Sequence, residues 1–279
     1  MINQTFHNGV TIPILGFGLF KLDKDINAEE AALTALQTGY RMLDTATVYR
    51  NEEAVGSAIK KSGLKREDLF ITTKLWSRDI VQGRVAEAYQ ESLDKLELDY
   101  VDLYLIHWPV DGYLEAWHKL EELYRQKKMR AIGVSNFTKS HLDHLLHNSS
   151  EVPVINQVEC HPYLQQESYR QYLAAKGIVM QAWGPLGQAK SDLLTNEAIK
   201  AIGDKYGKSN AQVMLRWNIQ RGVNVIPKSQ TASRIKENFE VFDFSLNDDD
   251  MEQISLMDQD RHYGTDPNNQ EAVDNLAKL

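Results

Sequence analysis

Four residues whose side chains can give up or stabilise a proton follow apolar, strand-like runs: Asp44, Tyr49, Lys74 and His107. A tyrosine hydroxyl has a pKa of about 10 and is a poor acid at neutral pH unless a cation stabilises the phenolate. Lys74 is the candidate cation, Asp44 could hold its ammonium group, and His107 adds a hydrogen-bonding ring. Such a set can protonate a carbonyl oxygen while another group attacks the carbon. None of the four is a source of electrons, so a reduction would need a cofactor.

Other residues with chemical uses end apolar runs in the same way. The full set of run-ending residues is Asp44, Lys74, His107, Ser135, Asn136, Gln157, Glu159, Trp183 and Lys228. A barrel of parallel strands gathers the C-terminal ends of its strands on one face, where such enzymes place their chemistry. One polar strand end is unremarkable, but this repeated pattern indicates a functional face.

The residues after Asp44 divide between a site and the start of a helix. Asp44 could be only a cap for that helix, but Asn51 is nearer to it. Asn51, Glu52 and Glu53 are better explained as its cap and first turn, because acidic groups stabilise the positive end of a helix. Asp44 and Tyr49 therefore remain candidates for the site.

Short β-rich runs alternate with longer amphipathic helical segments along the chain. The predicted strands are 41–44, 69–74, 101–106, 130–135, 154–159, 177–183, 223–227 and 241–244. This alternation predicts an α/β fold, a (β/α)8 TIM barrel, and a doubly wound sheet is the alternative because it alternates in the same way. No linker-like stretch interrupts the pattern, so residues 1–279 are expected to form a single domain.

Two further segments refine the barrel prediction. Asn8 and Gly9 lie between two short β-rich runs, which is a strong hairpin signal, and an N-terminal hairpin would suit a lid over one end of the barrel. Residues 196–222 carry enough helical sequence for two extra helices. The acids in residues 247–258 fall in the first turn of a helix, so capping explains them.

Composition excludes several classes of protein. The chain has 42% apolar residues, 25% charged residues and a net charge of −8, which argues against nucleic-acid binding. The single cysteine, Cys160, excludes a disulfide framework and a cysteine-based zinc site within one chain, and it is expected to be structural. No secretion signal or membrane-spanning run is apparent, so we expect a cytoplasmic protein. The sequons at Asn136 and Asn148 are then chance matches.

Other chemistries lack their sequence motifs. G-x-S-x-G and H-E-x-x-H are absent, and segment 203–209 is one residue short of a P-loop. Segment 16–21 lacks the third glycine of a dinucleotide fingerprint, so a nicotinamide cofactor would not be bound through a Rossmann motif. His141, His144 and His147 lie on one predicted helix, where a solvated face is a better explanation than a metal site. We expect no metal.

Seven segments resemble the aldo-keto reductase family in the expected order. They are "GYRMLDTATVYRNEEAVG" (39–56), "ITTKLW" (71–76), "DLYLIHWP" (102–109), "GVSNF" (133–137), "NQVECHP" (156–162), "AWGPLG" (182–187) and "IPKSQTASRIKENF" (226–239). The resemblance implies a (β/α)8 barrel closed below by a hairpin, with NADPH extended across its C-terminal face. The short loop after residue 110 and the short C-terminal tail resemble the bacterial branch of 2,5-diketogluconate and glyoxal reductases, which implies an open, permissive pocket.

The resemblance also implies roles for single residues. Tyr49 would donate the proton, Lys74 and Asp44 would tune it, and His107 would orient the carbonyl. The implied cofactor-binding residues are Ser135, Asn136 and Gln157 at the carboxamide, Trp183 on the nicotinamide ring, Gly184 and Leu186 in the same segment, Lys228, Ser229 and Arg234 at the 2′-phosphate, and Asn238 near the adenine. Lys228 and Arg234 supply the cations that a phosphate monoester requires, which favours NADPH over NADH.

Aromatic residues beside the proposed site suit an apolar substrate slot. The expected substrate-binding residues are Phe20, Trp76, His107 and Trp108. Leu19 stands where relatives often have threonine, which removes a hydroxyl contact to the cofactor. Met42 is interpreted as a packing variation.

The sequence therefore predicts a monomeric oxidoreductase that reduces small aldehydes and ketones with NADPH. One alternative is a low-turnover NADPH-binding regulatory or sensor protein on the same barrel, and another is a structural protein, lens-type or other. Presence of all four active-site groups favours the enzyme.

Overall fold

The computed structural model describes residues 2–22 and 27–278. The chain begins with an antiparallel hairpin, in which β1 (Asn3–Thr5) pairs with β2 (Thr11–Pro13). Gly9 lies in the connecting turn with φ +84°, a conformation that glycine adopts without strain. Phe6 and Ile12 of the hairpin are buried against Met42 and Phe70 at the bottom of the barrel. The predicted lid is therefore confirmed.

Eight parallel strands form one sheet, in which each strand pairs with the next along the chain. They are β3 (Phe17–Gly18), β4 (Met42–Asp44), β5 (Phe70–Leu75), β6 (Val101–Ile106), β7 (Met129–Ser135), β8 (Ile155–Glu159), β9 (Val179–Trp183) and β10 (Asn224–Val225). Leu15 pairs with Val225, and Gly16 N–H donates to the Val225 carbonyl at 2.9 Å, so the last strand meets the first. The sheet is the predicted (β/α)8 barrel and not a doubly wound sheet.

One predicted strand is wrong. Residues 241–244 form no strand in the described structure, and the first barrel strand is instead supplied by residues 17–18. Val241 is buried and Phe244 packs on Tyr206, so this segment covers helices instead of pairing with a strand. The true first strand has only two residues, one of them Gly18, so it carries little strand signal in the sequence. Gly18 is required there, because a Cβ would lie 2.8 Å from the Ile226 carbonyl oxygen.

Helices cover the outside of the barrel. They are α1 (Asn27–Thr38), α2 (Glu52–Ser62), α3 (Ser77–Val81), α4 (Val85–Leu96), α5 (Tyr113–Arg125), α6 (Lys139–Asn148), α7 (Glu167–Ala175), α8 (Glu197–Tyr206), α9 (Asn210–Gln220), α10 (Ala232–Phe239), α11 (Asp248–Ser255) and α12 (Gln270–Asn275). The two helices predicted within 196–222 are α8 and α9. The acids at 248–250 lie in the first turn of α11, as predicted. Within the described ranges, no helix is both long and apolar enough to cross a bilayer.

Candidate active site

A buried ion pair lies at the C-terminal end of β4 and β5. Parallel pairing places Asp44 opposite Thr72, so Lys74, two residues further along, points to the same face of the sheet. Lys74 Nζ donates to Asp44 Oδ1 at 2.5 Å and to the Thr45 carbonyl at 2.8 Å. Burial raises the pKa of Asp44 and lowers the pKa of Lys74, and their mutual attraction opposes both shifts. The pair has no net charge whichever partner holds the proton.

Tyr49 is held beside this pair by a short turn. The 3-10 turn Thr47–Tyr49 connects β4 to α2, and the Thr47 hydroxyl donates to the Lys74 carbonyl at 3.0 Å. Lys74 Nζ lies 5.0 Å from the centroid of the Tyr49 ring. The His107 ring centroid lies 5.7 Å from that of Tyr49. The structure therefore brings together all four residues singled out from the sequence, which we call the tetrad (Asp44, Tyr49, Lys74 and His107).

Burial and a neighbouring carboxylate both act on the pKa of Tyr49. Burial, and secondly the Asp44 carboxylate, raise the pKa of Tyr49 well above its usual value of 10. Tyr49 consequently keeps its proton at neutral pH, so it can act as a proton donor. The Lys74 ammonium group is paired with Asp44 and lies 5.0 Å from the centroid of the Tyr49 ring, where it can stabilise negative charge that develops on the phenol oxygen.

His107 follows β6 and is a neutral ring at physiological pH. Burial, and secondly the nearby Lys74 charge, hold the pKa of His107 well below 6.5. Its ring lies edge-to-face with Trp76, with centroids 5.2 Å apart. A neutral imidazole has one N–H donor and one acceptor nitrogen. His107 can therefore hydrogen-bond a substrate oxygen without adding charge to the site.

The first residues of α2 make hydrogen bonds to the barrel that the sequence did not predict. Asn51 occupies the N-cap position of α2, but its side chain makes no capping bond. Its oxygen accepts from the Thr45 hydroxyl at 2.6 Å, and its NH2 group donates to the Leu19 carbonyl at 2.9 Å. Glu52 is buried and accepts from the Thr73 hydroxyl at 2.7 Å. These residues therefore fasten the loop of Tyr49 to the barrel as well as starting the helix.

The predicted carboxamide-binding residues end β7 and lie within β8. Ser135 Oγ donates to the backbone carbonyl of Gln157 at 2.8 Å, and Asn136 Nδ2 donates to the backbone carbonyl of His107 at 3.0 Å. Asn136 has φ +60°, a left-handed conformation that asparagine adopts more readily than most residues. The indole N–H of Trp183 donates to Asn136 Oδ1 at 2.8 Å. The structure thus joins four predicted cofactor residues to each other and to the tetrad.

A chain of buried amides below the tetrad orients Gln157. Its NH2 group donates to Asp44 Oδ2 at 2.7 Å and to Gln181 Oε1 at 2.6 Å. Gln181 donates to Asn224 Oδ1 at 2.7 Å, and Asn224 donates to the Pro13 carbonyl at 2.7 Å. Both side-chain N–H groups of Gln157 are used, whereas no hydrogen bond among the described residues uses its side-chain oxygen, Oε1. That oxygen is an acceptor suited to an N–H donor such as a nicotinamide carboxamide.

The predicted phosphate-binding residues follow β10. Gly18 N–H donates to the Pro227 carbonyl at 3.0 Å, and this places Lys228 beside the start of the barrel. Lys228 is half-buried, Ser229 and Asn238 are buried, and Arg234 is exposed in the first turn of α10. A cation at a helix N-terminus provides a favourable environment for a phosphate. The residue types and their placement fit the 2′-phosphate of a dinucleotide.

The remaining predicted cofactor residues lie in the loop after β9. Gly184 has φ +61°, and its carbonyl accepts from Gly187 N–H at 2.9 Å in a tight turn. Leu186 is half-buried against the hydrophobic core. This turn directly follows Trp183, so the loop lies next to the indole.

Two of the three predicted substrate-lining aromatics contact the tetrad. The Phe20 ring is 45% exposed and lies 5.0 Å from the Tyr49 ring, and Trp76 packs against His107. Trp108 is buried in the main core, and no ring contact joins it to the tetrad among the described residues. Phe20 thus packs beside Tyr49 and Trp76 beside His107, and the two rings form an aromatic wall next to these residues.

Cys160 and the three helical histidines have structural surroundings. Burial raises the pKa of Cys160 to about 11, and its thiol faces Asn218 Oδ1 at 3.5 Å. His141 completes the capping box of α6, and His144 bonds the Tyr113 hydroxyl at 2.6 Å. Within residues 2–22 and 27–278, no group of three or more potential ligands could hold a metal ion.

Sequence reasoning missed the contribution of the C-terminal segment. Glu159 was noted only as a strand end, but it accepts hydrogen bonds from the backbone N–H groups of Tyr263 and Gly264. This segment borders a cleft of about 200 Å³ that is lined by Asn136, Trp183, Glu159 and His262 among others. The cleft therefore adjoins the cofactor-side residues and not the tetrad itself. A local sequence pattern gives no sign of this contact, because 103 positions separate Glu159 from His262.

The chain is similar to known proteins over nearly its whole length. Residues 14–258 match the sequence model of the aldo/keto reductase family. Glyoxal reductase of Bacillus subtilis is 48% identical over 262 residues, 94% of this chain and 94% of that protein. Methylglyoxal reductase DkgA of Salmonella typhimurium is 45% identical over 273 residues, 96% of this chain and 98% of that protein. Among solved structures, the aldo-keto reductase MGS-M4 from a Medee basin deep-sea metagenome library has a TM-score of 0.92 at 43% identity, covering 95% of this chain and 98% of its own.

Proposed function

The chain belongs to the aldo/keto reductase family, and we propose that it reduces small aldehydes and ketones to alcohols with NADPH, using Tyr49 as the proton donor. It is an oxidoreductase of a family that uses nicotinamide cofactors. The observation that carries the assignment of Tyr49 is the buried Lys74–Asp44 pair, which lies within 5.0 Å of the Tyr49 ring. This placement supports a proton-transfer role for the phenol.

The tetrad divides the proton chemistry among its members. Bound NADPH supplies the hydride for the carbonyl carbon. Tyr49 keeps its proton until negative charge develops on the carbonyl oxygen, and then gives the proton to that oxygen. The Lys74 ammonium group stabilises the phenolate that remains, and the neutral His107 ring orients the substrate oxygen by a hydrogen bond. Phe20 and Trp76 exclude water from one side of the reacting carbonyl.

The cofactor would be held at both of its ends. Ser135, Asn136 and Gln157 would bind the carboxamide, and the Trp183 ring would stack on the nicotinamide. Lys228, Ser229 and Arg234 would bind the 2′-phosphate, which supports a preference for NADPH. Gly184 and Leu186 would line the loop over the pyrophosphate side, and Asn238 would contact the adenine.

A carbonyl panel assayed by loss of reduced-nicotinamide absorbance tests this proposal. Glyoxal and methylglyoxal are the first substrates to try, because relatives of 45–48% identity are named for their reduction. NADPH and NADH are compared at equal concentration, and Tyr49→Phe serves as the inactive control. Binding of NADPH without turnover on any small aldehyde would instead favour the sensor alternative. A monomeric state, a cytoplasmic location and a single domain over residues 1–279 stay predictions, which light scattering, cell fractionation and limited proteolysis would check.

A further inference from the structure

Glu159, at the end of β8, is a buried carboxylate whose hydrogen-bond donors come mostly from the C-terminal segment 260–268, here called the tail segment. Its side chain is 2% exposed. Tyr263 N–H donates to Oε1 at 3.0 Å, and Gly264 N–H lies 3.2 Å from each oxygen. His262 Nδ1 lies 3.2 Å from Oε2, and His161 Nε2 lies 3.4 Å from Oε1. Only His161 belongs to the barrel, so the tail segment supplies three of these four partners.

The tail segment contacts Trp183 through Gly264, the same residue whose N–H lies 3.2 Å from both Glu159 oxygens. Gly264 lies so close to the indole that a Cβ added at this position would overlap the ring. On the other side, the indole N–H donates to Asn136 Oδ1 at 2.8 Å. The indole is thus fixed between Asn136 and the backbone at Gly264. Its orientation depends on both contacts, since a half-buried side chain keeps rotamer freedom unless neighbours remove it.

Glu159 is not required to attach the C-terminal region as a whole. The backbone N–H groups of Gln259 and Arg261 donate to the Tyr163 carbonyl at 3.1 and 3.0 Å. Val273 of α12 is fully buried in the main core. Loss of the Glu159 contacts would therefore free the N–H groups of Tyr263 and Gly264, while both flanks and the hydrogen bond from Lys190 Nζ to the Tyr263 carbonyl (2.7 Å) stay in place. This separates the position of Trp183 from the stability of the barrel.

We propose that Glu159 is a positioning residue for Trp183. Its hydrogen bonds hold the tail segment against the indole, and this contact fixes the orientation in which the indole ring meets the nicotinamide. This inference rests on the proposed function, in which Trp183 stacks on the nicotinamide ring. Burial makes the arrangement specific, because a buried carboxylate must keep its hydrogen-bond donors. Only a backbone without a Cβ at Gly264 lets the tail segment reach both Glu159 and the indole.

Two substitutions disrupt the contact between the tail segment and Trp183, one at Glu159 and one at Gly264. Glu159→Gln keeps the size of the side chain but turns one acceptor into a donor that opposes the N–H groups of the tail segment. Gly264→Ala leaves Glu159 intact and forces the backbone and the indole apart. Glu252→Gln, on the exposed face of α11, is the control. Affinity for NADP⁺ is measured by isothermal titration calorimetry, and hydrogen exchange reports the protection of residues 260–268.

We expect each single variant to weaken NADP⁺ binding about five- to tenfold, which corresponds to roughly 1–1.4 kcal/mol. The double variant should be no weaker than the weaker-binding single variant, because both changes break the same contact. Exchange of the Tyr263 and Gly264 amides should accelerate in Glu159→Gln and not in the control. The KM for NADPH should rise with a smaller change in kcat.

The inference is overturned if Glu159→Gln frees the tail segment without changing NADP⁺ affinity, or if the two substitutions act additively. Should Glu159→Gln fail to fold, unchanged NADP⁺ affinity in Gly264→Ala alone would overturn it. A wild-type protein that binds neither NADP⁺ nor NADPH would refute the proposed function and this inference together. A wild-type protein that binds NADP⁺ and reduces carbonyls, with variants that bind equally well, would refute only the role of Glu159.

Discussion

Lys74 donates a hydrogen bond to Asp44 across 2.5 Å, and both side chains are buried where β4 and β5 end. Removing one partner of a buried pair leaves an uncompensated charge, which is far more costly than replacing both. The same pair lies next to Tyr49, so stability and proton chemistry share one contact. The two contributions can be separated by substitution.

Lys74→Met should lower the free energy of unfolding by about 3–5 kcal/mol, because Asp44 remains buried without a cation. Reductase activity should be lost as well. The double variant Asp44→Asn with Lys74→Met should recover most of the stability but none of the activity. Urea unfolding followed by circular dichroism measures this, and a single variant as stable as the wild type would contradict the prediction.

Tyr49→Phe should reduce kcat by about 100-fold or more, the contribution expected of a positioned general acid. NADP⁺ affinity should stay unchanged, because the substitution removes only a hydroxyl. Since the pKa of Tyr49 is raised well above 10, ionisation of this group should cause no loss of kcat between pH 6 and 9. Tyr172→Phe, which removes a surface hydroxyl bonded to Asp143, is the matched control. Wild-type turnover by Tyr49→Phe would exclude the phenol as donor.

Arg234→Ala should weaken NADPH binding roughly 10- to 150-fold, corresponding to the ~1.5–3 kcal/mol of a hydrogen bond to a charged group. NADH lacks the 2′-phosphate, so its binding should change little. Lys236→Ala removes an exposed cation from the same helix and controls for general electrostatics. Equal losses for the two cofactors would show that Arg234 does not contact the 2′-phosphate.

The hydrogen bonds between Glu159 and the tail segment should stabilise that segment less at both low and high pH. Burial by itself would raise the pKa of Glu159. Hydrogen bonds from His161, His262 and the backbone of Tyr263 and Gly264 outweigh it and lower this pKa from 4.5 to about 2. The stabilisation of the tail segment by the ionised Glu159 carboxylate is complete above pH 4.5 and is lost as the pH falls towards 2. The Glu159 hydrogen bond, and the nearby Asp266 and Asp260 charges, raise the pKa of His262 above 6.5. Its contribution is complete below pH 6.5 and is lost as the pH rises through the raised value.

Amide hydrogen exchange of residues 262–264 across this range checks that expectation. Protection, corrected for intrinsic exchange, should be greatest between about pH 4.5 and 6.5. His262→Gln should remove the decline on the alkaline side and leave the acid side intact. Protection that stays constant up to pH 9 in the wild type would show that His262 does not carry this dependence.

The sequence predicted strands best where β-branched and apolar residues form continuous runs, as in residues 101–106 and 154–159. It failed at residues 17–18, because the strand there is only two residues long and contains Gly18, which allows close approach to Ile226 but carries no strand signal. It failed again at 241–244, where alternating apolar residues pack on helices instead of pairing. Local patterns cannot distinguish these cases, since burial against a helix and burial in a sheet favour the same residue types.

By itself, the sequence determined the alternating α/β architecture, the hairpin at Asn8 and Gly9, and the identity of the tetrad. These features depend on residue types at short spacing and on strand ends that a barrel must gather on one face. Only the tertiary structure decided that the Lys74–Asp44 pair is buried and that burial raises the pKa of the neighbouring Tyr49. It also decided that Glu159 meets the tail segment beside Trp183. Both outcomes depend on burial and on contacts between residues distant in the chain, which change the cost of a charge without leaving a local pattern.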